Sequence, residues 1–309
     1  MADSYLVYLK QSIKNPNIEK YLYNMYRPGT PVNAIASQGT LTLSGVVVDG
    51  ETVTIDGDTY EFAADAAQSV SAGNTAVDIT SHTTASQGTL TMDTQPTAGD
   101  TMTIGTKVYT FTADGTAAAD GEIDVGSDLA DAKTLVVAAI NGTDGINTAH
   151  PLVSAAAFST NDCVITALVG GTAGDSIATT ETFTAVTNVF DAATLGTTTA
   201  GGDCTAANAD GALIGADIGT TYSMSQGAGT TVVVTAATKG VAGDLIATTE
   251  TMANGAFDAA TLGTTTAGVN GTQGTAGMRR YDTSYEYVCS ADNTINDANW
   301  RRISLGSAY

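Results

Sequence analysis

Basic residues are scarce in this 309-residue chain. It has 11 Lys and Arg against 32 Asp and Glu, a net charge of −21. A nucleic-acid binder presents a basic footprint, so the balance argues against that class. Cysteine is scarce too. Cys163, Cys204 and Cys289 are odd in number and unrelated in spacing, which argues against a disulfide framework and against a zinc site. Only two histidines occur, His82 and His150, and neither has Cys, Asp or His at ligand spacing or a G-x-S-x-G turn beside it. Both read as ordinary loop histidines. No G-x-x-x-x-G-K-[ST] motif exists, and the runs GGTAGD and GTAG lack the strand–turn–helix setting of a phosphate loop. They read as turns. No stretch of about 18 apolar residues is present, so no membrane span is expected. The opening MADSYLVYLKQSIK lacks the apolar core of a signal peptide, and synthesis and folding in a cytoplasm are expected. No catalytic constellation, cofactor or metal follows from these residues.

The chain is instead rich in Thr, Val, Ala and Gly, with 43% apolar but only 6% aromatic residues. That mixture fits many short strands and turns and does not fit a helical bundle. Eight of the 11 basic residues lie in 1–33 and 276–309, against six acids; residues 34–275 hold only Lys107, Lys133 and Lys239 against 26 acids. An acidic body stays soluble and repels its copies. Near-neutral, Tyr-rich ends look like contact parts, though acids that merely solvate turns explain the charge equally well. In ADGTAAADGEID (113–124), Asp114, Asp120, Glu122 and Asp124 do not follow the spacing of a helix-loop-helix calcium loop. Asp-Gly turns account for them.

Repeats set the architecture. FDAATLGTTTAG occurs at 190–201 and again at 257–268, and ASQGTLT at 36–42 and 85–91. GTLTLSGVVVDGETVTIDGDTYEF (39–62) aligns with GTLTMDTQPTAGDTMTIGTKVYTF (88–111). CVITALVGGTAGDSIATTET (163–182) aligns with VVVTAATKGVAGDLIATTET (232–251). Segment 85–201 therefore has both a beginning and an end. Segment 36–84 has a beginning only and 202–268 an end only, and these two fragments together match the length of the whole one. Nesting is the simplest account: a second copy sits inside a split first copy. Exposed turns whose ends lie close tolerate such insertion.

In the whole copy a helix is expected over 128–141, with Ser127 as N-cap, Gly142 closing it, and Leu129, Ala132, Leu135, Val136, Ala139 and Ile140 as its apolar stripe. Its counterpart is interrupted between VDITSHTTA (77–85) and DCTAANADG (203–211). TVTI-DGD-TYEF and TMTI-GTK-VYTF read as hairpins. LVSAAAF, CVITAL, SIATTETF, MSQ, TVVVTAA and LIATTE read as further strands, giving roughly six strands per module. The expected fold is mainly β, built of α+β modules. Two homologous, mostly antiparallel β modules each carry one helix: 36–84 with 202–268, and 85–201 nested within it. An N-terminal helical anchor (1–35) and a linker with a C-terminal β-hairpin (269–309) complete the chain.

Residues 4–26 read as two short helices with apolar stripes, broken by Asn15-Pro16 and ended by Pro28-Gly29. YEYVC and WRRISL read as a terminal hairpin carrying the only Trp. Neither element is stable alone. Their partner is either the modules themselves or another protein. The contact candidates are Tyr5, Leu9, Tyr21, Tyr23 and Tyr26 at one end, and Arg279, Arg280, Tyr287, Trp300, Arg301 and Arg302 at the other.

The module pattern GTLT…P…GDTMTIG…VYTF…AGDSIATTET…ATLG resembles a repeat common in structural proteins of tailed bacteriophages. The ending YDTSYEYVC…NWRRISL looks like a terminal hairpin of phage head and tail appendage proteins. The first copy departs from the pattern, with VVVDG where the second has QPTAGD. The resemblance implies a non-enzymatic virion protein: a capsid decoration or head fibre anchored by a terminus, with acidic modules outward. A neck or tail appendage binding the host surface is the alternative, and a polysaccharide hydrolase with a paired-carboxylate site is a third class. Other virion proteins (capsid, neck or tail) and copies of the chain itself, by analogy a trimer, would be its partners.

Overall fold

The computed structural model describes residues 26–282 and 284–304, with side chains from residue 29 onward. It is mainly β. Five four-stranded sheets are present, with two α-helices, Leu129–Asn141 and Ala206–Gly215, among the described residues. The strands follow period-2 burial: Thr52–Ile55 and Thr101–Ile104 each bury their Val or Met and their Ile, and turn Thr outward. The Asp56-Gly57 turn has positive φ at both residues (52° and 90°), as a tight two-residue hairpin requires.

Four of the sheets form two pairs with the same strand order. In one pair the orders are Tyr222–Gln226, Thr231–Ala236, Gln38–Leu43, Gly255–Phe257, and Thr248–Glu250, Thr52–Ile55, Asp58–Ala63, Thr75–Asp78. In the other they are Val153–Ala155, Asp162–Ala167, Gln87–Thr91, Val189–Phe190, and Thr179–Thr182, Thr101–Ile104, Lys107–Thr112, Glu122–Asp124. Pairing is antiparallel except at Thr75–Asp78 and Glu122–Asp124, which lie parallel to their neighbours.

Each sheet pair, with one helix, encloses its own core. The first core draws on Leu41 to Ile79 and Cys204 to Leu262; the second lies wholly within Leu90 to Leu195. Where the chain passes between them, Thr84 and Gly202 pair through both backbone N–H groups, at 2.8 and 3.0 Å. Helix Ala206–Gly215 lies wholly after the return crossing, so the insertion does not interrupt it, contrary to expectation; before the insertion the chain forms strand Thr75–Asp78 and a single 3-10 turn, Thr80–His82.

Several expectations need correction. The helix N-cap is Asp128, not Ser127. Asp128 adopts the extended conformation and accepts from Asp131 N at 2.9 Å, while Ser127 donates to the Asp131 carboxylate. Eight strands, not six, belong to each sheet pair. Thr75–Asp78, Glu122–Asp124, Val189–Phe190 and Gly255–Phe257 are short and carry no alternation to detect. The two helices expected over 4–26 lie, except for Tyr26, outside the described residues. Tyr26 itself belongs to a strand, Tyr26–Pro28. The C-terminal hairpin is not two-stranded either. Tyr285–Cys289 and Trp300–Ser304 do pair, but Arg279–Tyr281 joins them, and Tyr26–Pro28 adds parallel to it, because two strands alone bury too little.

Candidate interaction surface and the repeated feet

The terminal sheet gathers most of the expected contact residues. Arg280, Tyr287 and Arg302 share one row across three strands, and Cys289 faces Trp300; Arg279, Val288 and Arg301 share a row on the opposite face. Tyr26 stands in register with Arg279. Tyr5, Leu9, Tyr21 and Tyr23 lie outside the described residues.

Burial divides this set. Trp300 is 3% exposed and Tyr287 8%, and with Cys289 they form a small core, so their rings serve the sheet itself. Trp300 Nε1 donates to Thr272 O at 2.7 Å, and its backbone N–H donates to Asn33 Oδ1 at 3.1 Å. Gly274 has to be glycine, since a Cβ there would lie 2.6 Å from Trp300 Cζ2. The Arg280 guanidinium sits 5.5 Å over the Trp300 ring, and that of Arg302 4.3 Å over Tyr285. Arg279 pairs with Glu286. Arg301, Arg302 and Ile303 are exposed. Asp282 organises the turn into the third strand. It accepts from Ser284 N, Tyr285 N, Tyr287 Oη and Thr30 Oγ1, and these donors hold its carboxyl at about 2. The Asp-Thr-Ser stretch after RRY is the turn signal that could have revealed strand Arg279–Tyr281 in the sequence.

The letter-for-letter repeats also acquire a physical cause, because each core stands on the same foot. Asp175 Oδ1 accepts from Ser86 Oγ and Gly201 N, both at 2.7 Å; Asp244 Oδ1 accepts from Ser37 Oγ at 2.6 Å and Gly268 N at 2.8 Å. These bonds hold both carboxyls below the usual range. A Cβ at Gly201 or Gly268 would meet the carbonyl oxygen of Gly171 or Gly240 at 2.2 or 2.3 Å. Asp191 accepts from Thr89 N, and Asp258 from Thr40 N, each at 3.0 Å. Leu195 and Leu262 are both 3% exposed, and each presses on the glycine of its ASQGTLT segment. Ser, Gly, Asp and Leu of the two motifs thus lock the beginning of each copy to its end.

Most of the residues considered for chemistry are otherwise engaged. His150 lies in a loop, as expected, but is buried there. Its Nε2 donates to Ile104 O at 3.0 Å and its Nδ1 accepts from Leu152 N at 3.1 Å, so the ring is neutral, and burial lowers its pKa. His82 is exposed. Asp124 and Glu122 each accept two backbone N–H groups of their own turn, and Asp120 pairs with Lys107 at 2.9 Å. All three cysteines are free and buried. Burial pushes the Cys163 thiol up to about 12 and Cys204 up to about 11. Among the described residues no three His, Cys, Asp or Glu are grouped to hold a metal ion, and no helix is long and apolar enough to cross a membrane. Against known proteins, no family model, curated protein or solved structure matches this chain.

Proposed function

We propose that this chain is a non-enzymatic structural protein of a tailed-phage virion, a capsid decoration or head fibre. Its terminal sheet is the anchor, and two acidic β modules, one nested in the other, project from it. One observation carries the reading. The segments flanking the modules come together in a single sheet that holds Arg279, Arg280, Arg301 and Arg302, while three basic residues and 26 acids lie in 34–275. Attachment and projection are thus segregated in charge, with like-charged bodies repelling neighbouring copies. The engaged state of His150 and of Asp120, Glu122 and Asp124 supports a structural role over the hydrolase reading. Assembly with other virion proteins, and with copies of itself, belongs to the same proposal.

A tail or neck appendage that binds the host surface uses the same division of labour. Gold labelling of intact particles with an antibody to 85–201, viewed by electron microscopy, separates the two. Label spread over the head supports decoration. Label confined to the tail or neck replaces it with the appendage reading. Absence of label from every particle overturns the projecting-module assignment.

A further inference from the structure

The two feet are alike, but what they stand on differs, and the difference is mechanical. At the first foot, Gly240 N donates to Ile35 O at 2.9 Å, and Ile35 pairs with Val269; at the second, Gly171 N donates to Thr84 O at 2.9 Å, and Thr84 pairs with Gly202. Beyond these shared bonds the joints diverge. At the second joint, Val169 bridges to Asp65 and packs against the first core, and Gly170 N donates to Ala64 O at 3.0 Å. Gly170 is packed so closely that a Cβ would lie 2.1 Å from Thr83 Oγ1. Thr172 adds two bonds to the returning strand, from N and Oγ1 to the Asp203 carboxylate, at 2.7 and 2.8 Å.

At the first joint the positions equivalent to Val169 and Gly170 are Thr238 and Lys239, and both are exposed. Among the described residues, neither makes a hydrogen bond to the terminal sheet. A polar groove of about 520 Å³, lined by Ala237, Lys239, Asn296, Asp297 and Asn299 among others, opens where the second joint is packed shut. Val241 replaces Thr172 and keeps only the backbone bond, to Asn270 Oδ1 at 3.0 Å. The foot is tied to the sheet through its two chain segments, where Ala34 N donates to Asp297 O at 3.0 Å and Gly271 N to Ile295 O at 2.6 Å, and by the attraction of the Lys239 ammonium for the Asp297 carboxylate across the groove.

We propose that the first joint is a pivot and the second a lock, so that both modules swing as one rigid arm on the terminal sheet. Close-packed contact resists relative motion, whereas an open groove beside a two-segment tether allows it. Pivot and lock rest on the two cores and their feet, not on the virion assignment.

Spin-label distance measurements on the full chain, diluted into unlabelled chain, test it. Labels at Thr42→Cys (first core) and Thr180→Cys (second core) report the lock; labels at Thr42→Cys and Ser290→Cys (terminal sheet) report the pivot. All three sites are exposed. The expected result is a narrow distribution for Thr42–Thr180 and a several-fold broader one for Thr42–Ser290. Grafting the first joint's residues onto the second, as Val169→Thr with Gly170→Lys, broadens Thr42–Thr180 while both modules retain their circular dichroism. Equal narrow widths remove the pivot. Equal broad widths, or a graft that leaves Thr42–Thr180 narrow, remove the lock.

Discussion

Leu195 and Leu262 occupy the same place in two identical motifs, and truncating each in turn tests whether the two cores are separate structural units. Each is 3% exposed, and a Cβ added to its facing glycine, Gly88 or Gly39, would lie 2.8 Å from its Cδ2. The glycine offers no side chain to refill the space, so Leu→Ala leaves most of the cavity open. Lost transfer energy and the cavity together cost about 3 kcal/mol. A unit of 117 residues (85–201) has an unfolding entropy that converts each kcal/mol into roughly 4 °C, so its transition falls by about 12 °C. The assay is calorimetry of the full chain, with hydrogen exchange to assign each transition. Leu195→Ala is expected to lower the transition of 85–201, and Leu262→Ala that of 36–84 with 202–268, by similar amounts. If both variants depress one common transition, the cores unfold as one and the two-unit description fails. If neither moves a transition by more than about 1 kcal/mol, the packing argument at these glycines fails.

Three further outcomes are expected. Deleting 86–201, which joins Ala85 to Gly202 beside the paired Thr84, leaves a single cooperative melt for the remaining core; its loss counts against a split module rebuilt from 36–84 and 202–268. Acid weakens the fold in two steps. The depressed pKa of His150 means its neutral burial contributes fully above the ordinary value of 6.5, and that contribution is lost as pH falls below it. The Asp282 carboxyl, held at about 2, adds stability to the terminal sheet that is lost as pH falls from the ordinary 3.8 toward that value. Urea titrations against pH check both, with His150→Gln expected to flatten the first step and Asp282→Asn the second. Arg301→Glu with Arg302→Glu leaves the melting temperature within a few degrees, since both are exposed, but reduces incorporation into particles. Unchanged incorporation removes these two residues from the proposed anchor.

Much of this was legible before any coordinates. Period-2 alternation in TVTI and TMTI marks strands because one face of each must be apolar, and the helical stripe from Leu129 to Ile140 follows in the same way. Thr75–Asp78, Glu122–Asp124, Val189–Phe190 and Gly255–Phe257 escaped because two to four residues without flanking alternation show no period. Among the site residues, the sequence grouped Tyr287, Trp300 and the arginines by composition. It had no means of telling that Trp300 and Tyr287 are buried while Arg301 and Arg302 are exposed, since that depends on which neighbour covers each face.

Local pattern by itself determined the β character, the position of helix Leu129–Asn141, the repeated units and the charge segregation, because these depend on residues near one another along the chain. Tertiary structure alone decided the rest. It added Tyr26–Pro28 to a sheet more than 250 residues away, buried His150, and made Gly170 a tight contact where Lys239 borders an open groove. Each of those outcomes depends on pairing across long loops, where register and close approach are set by the whole packed molecule and leave no periodic trace in the sequence.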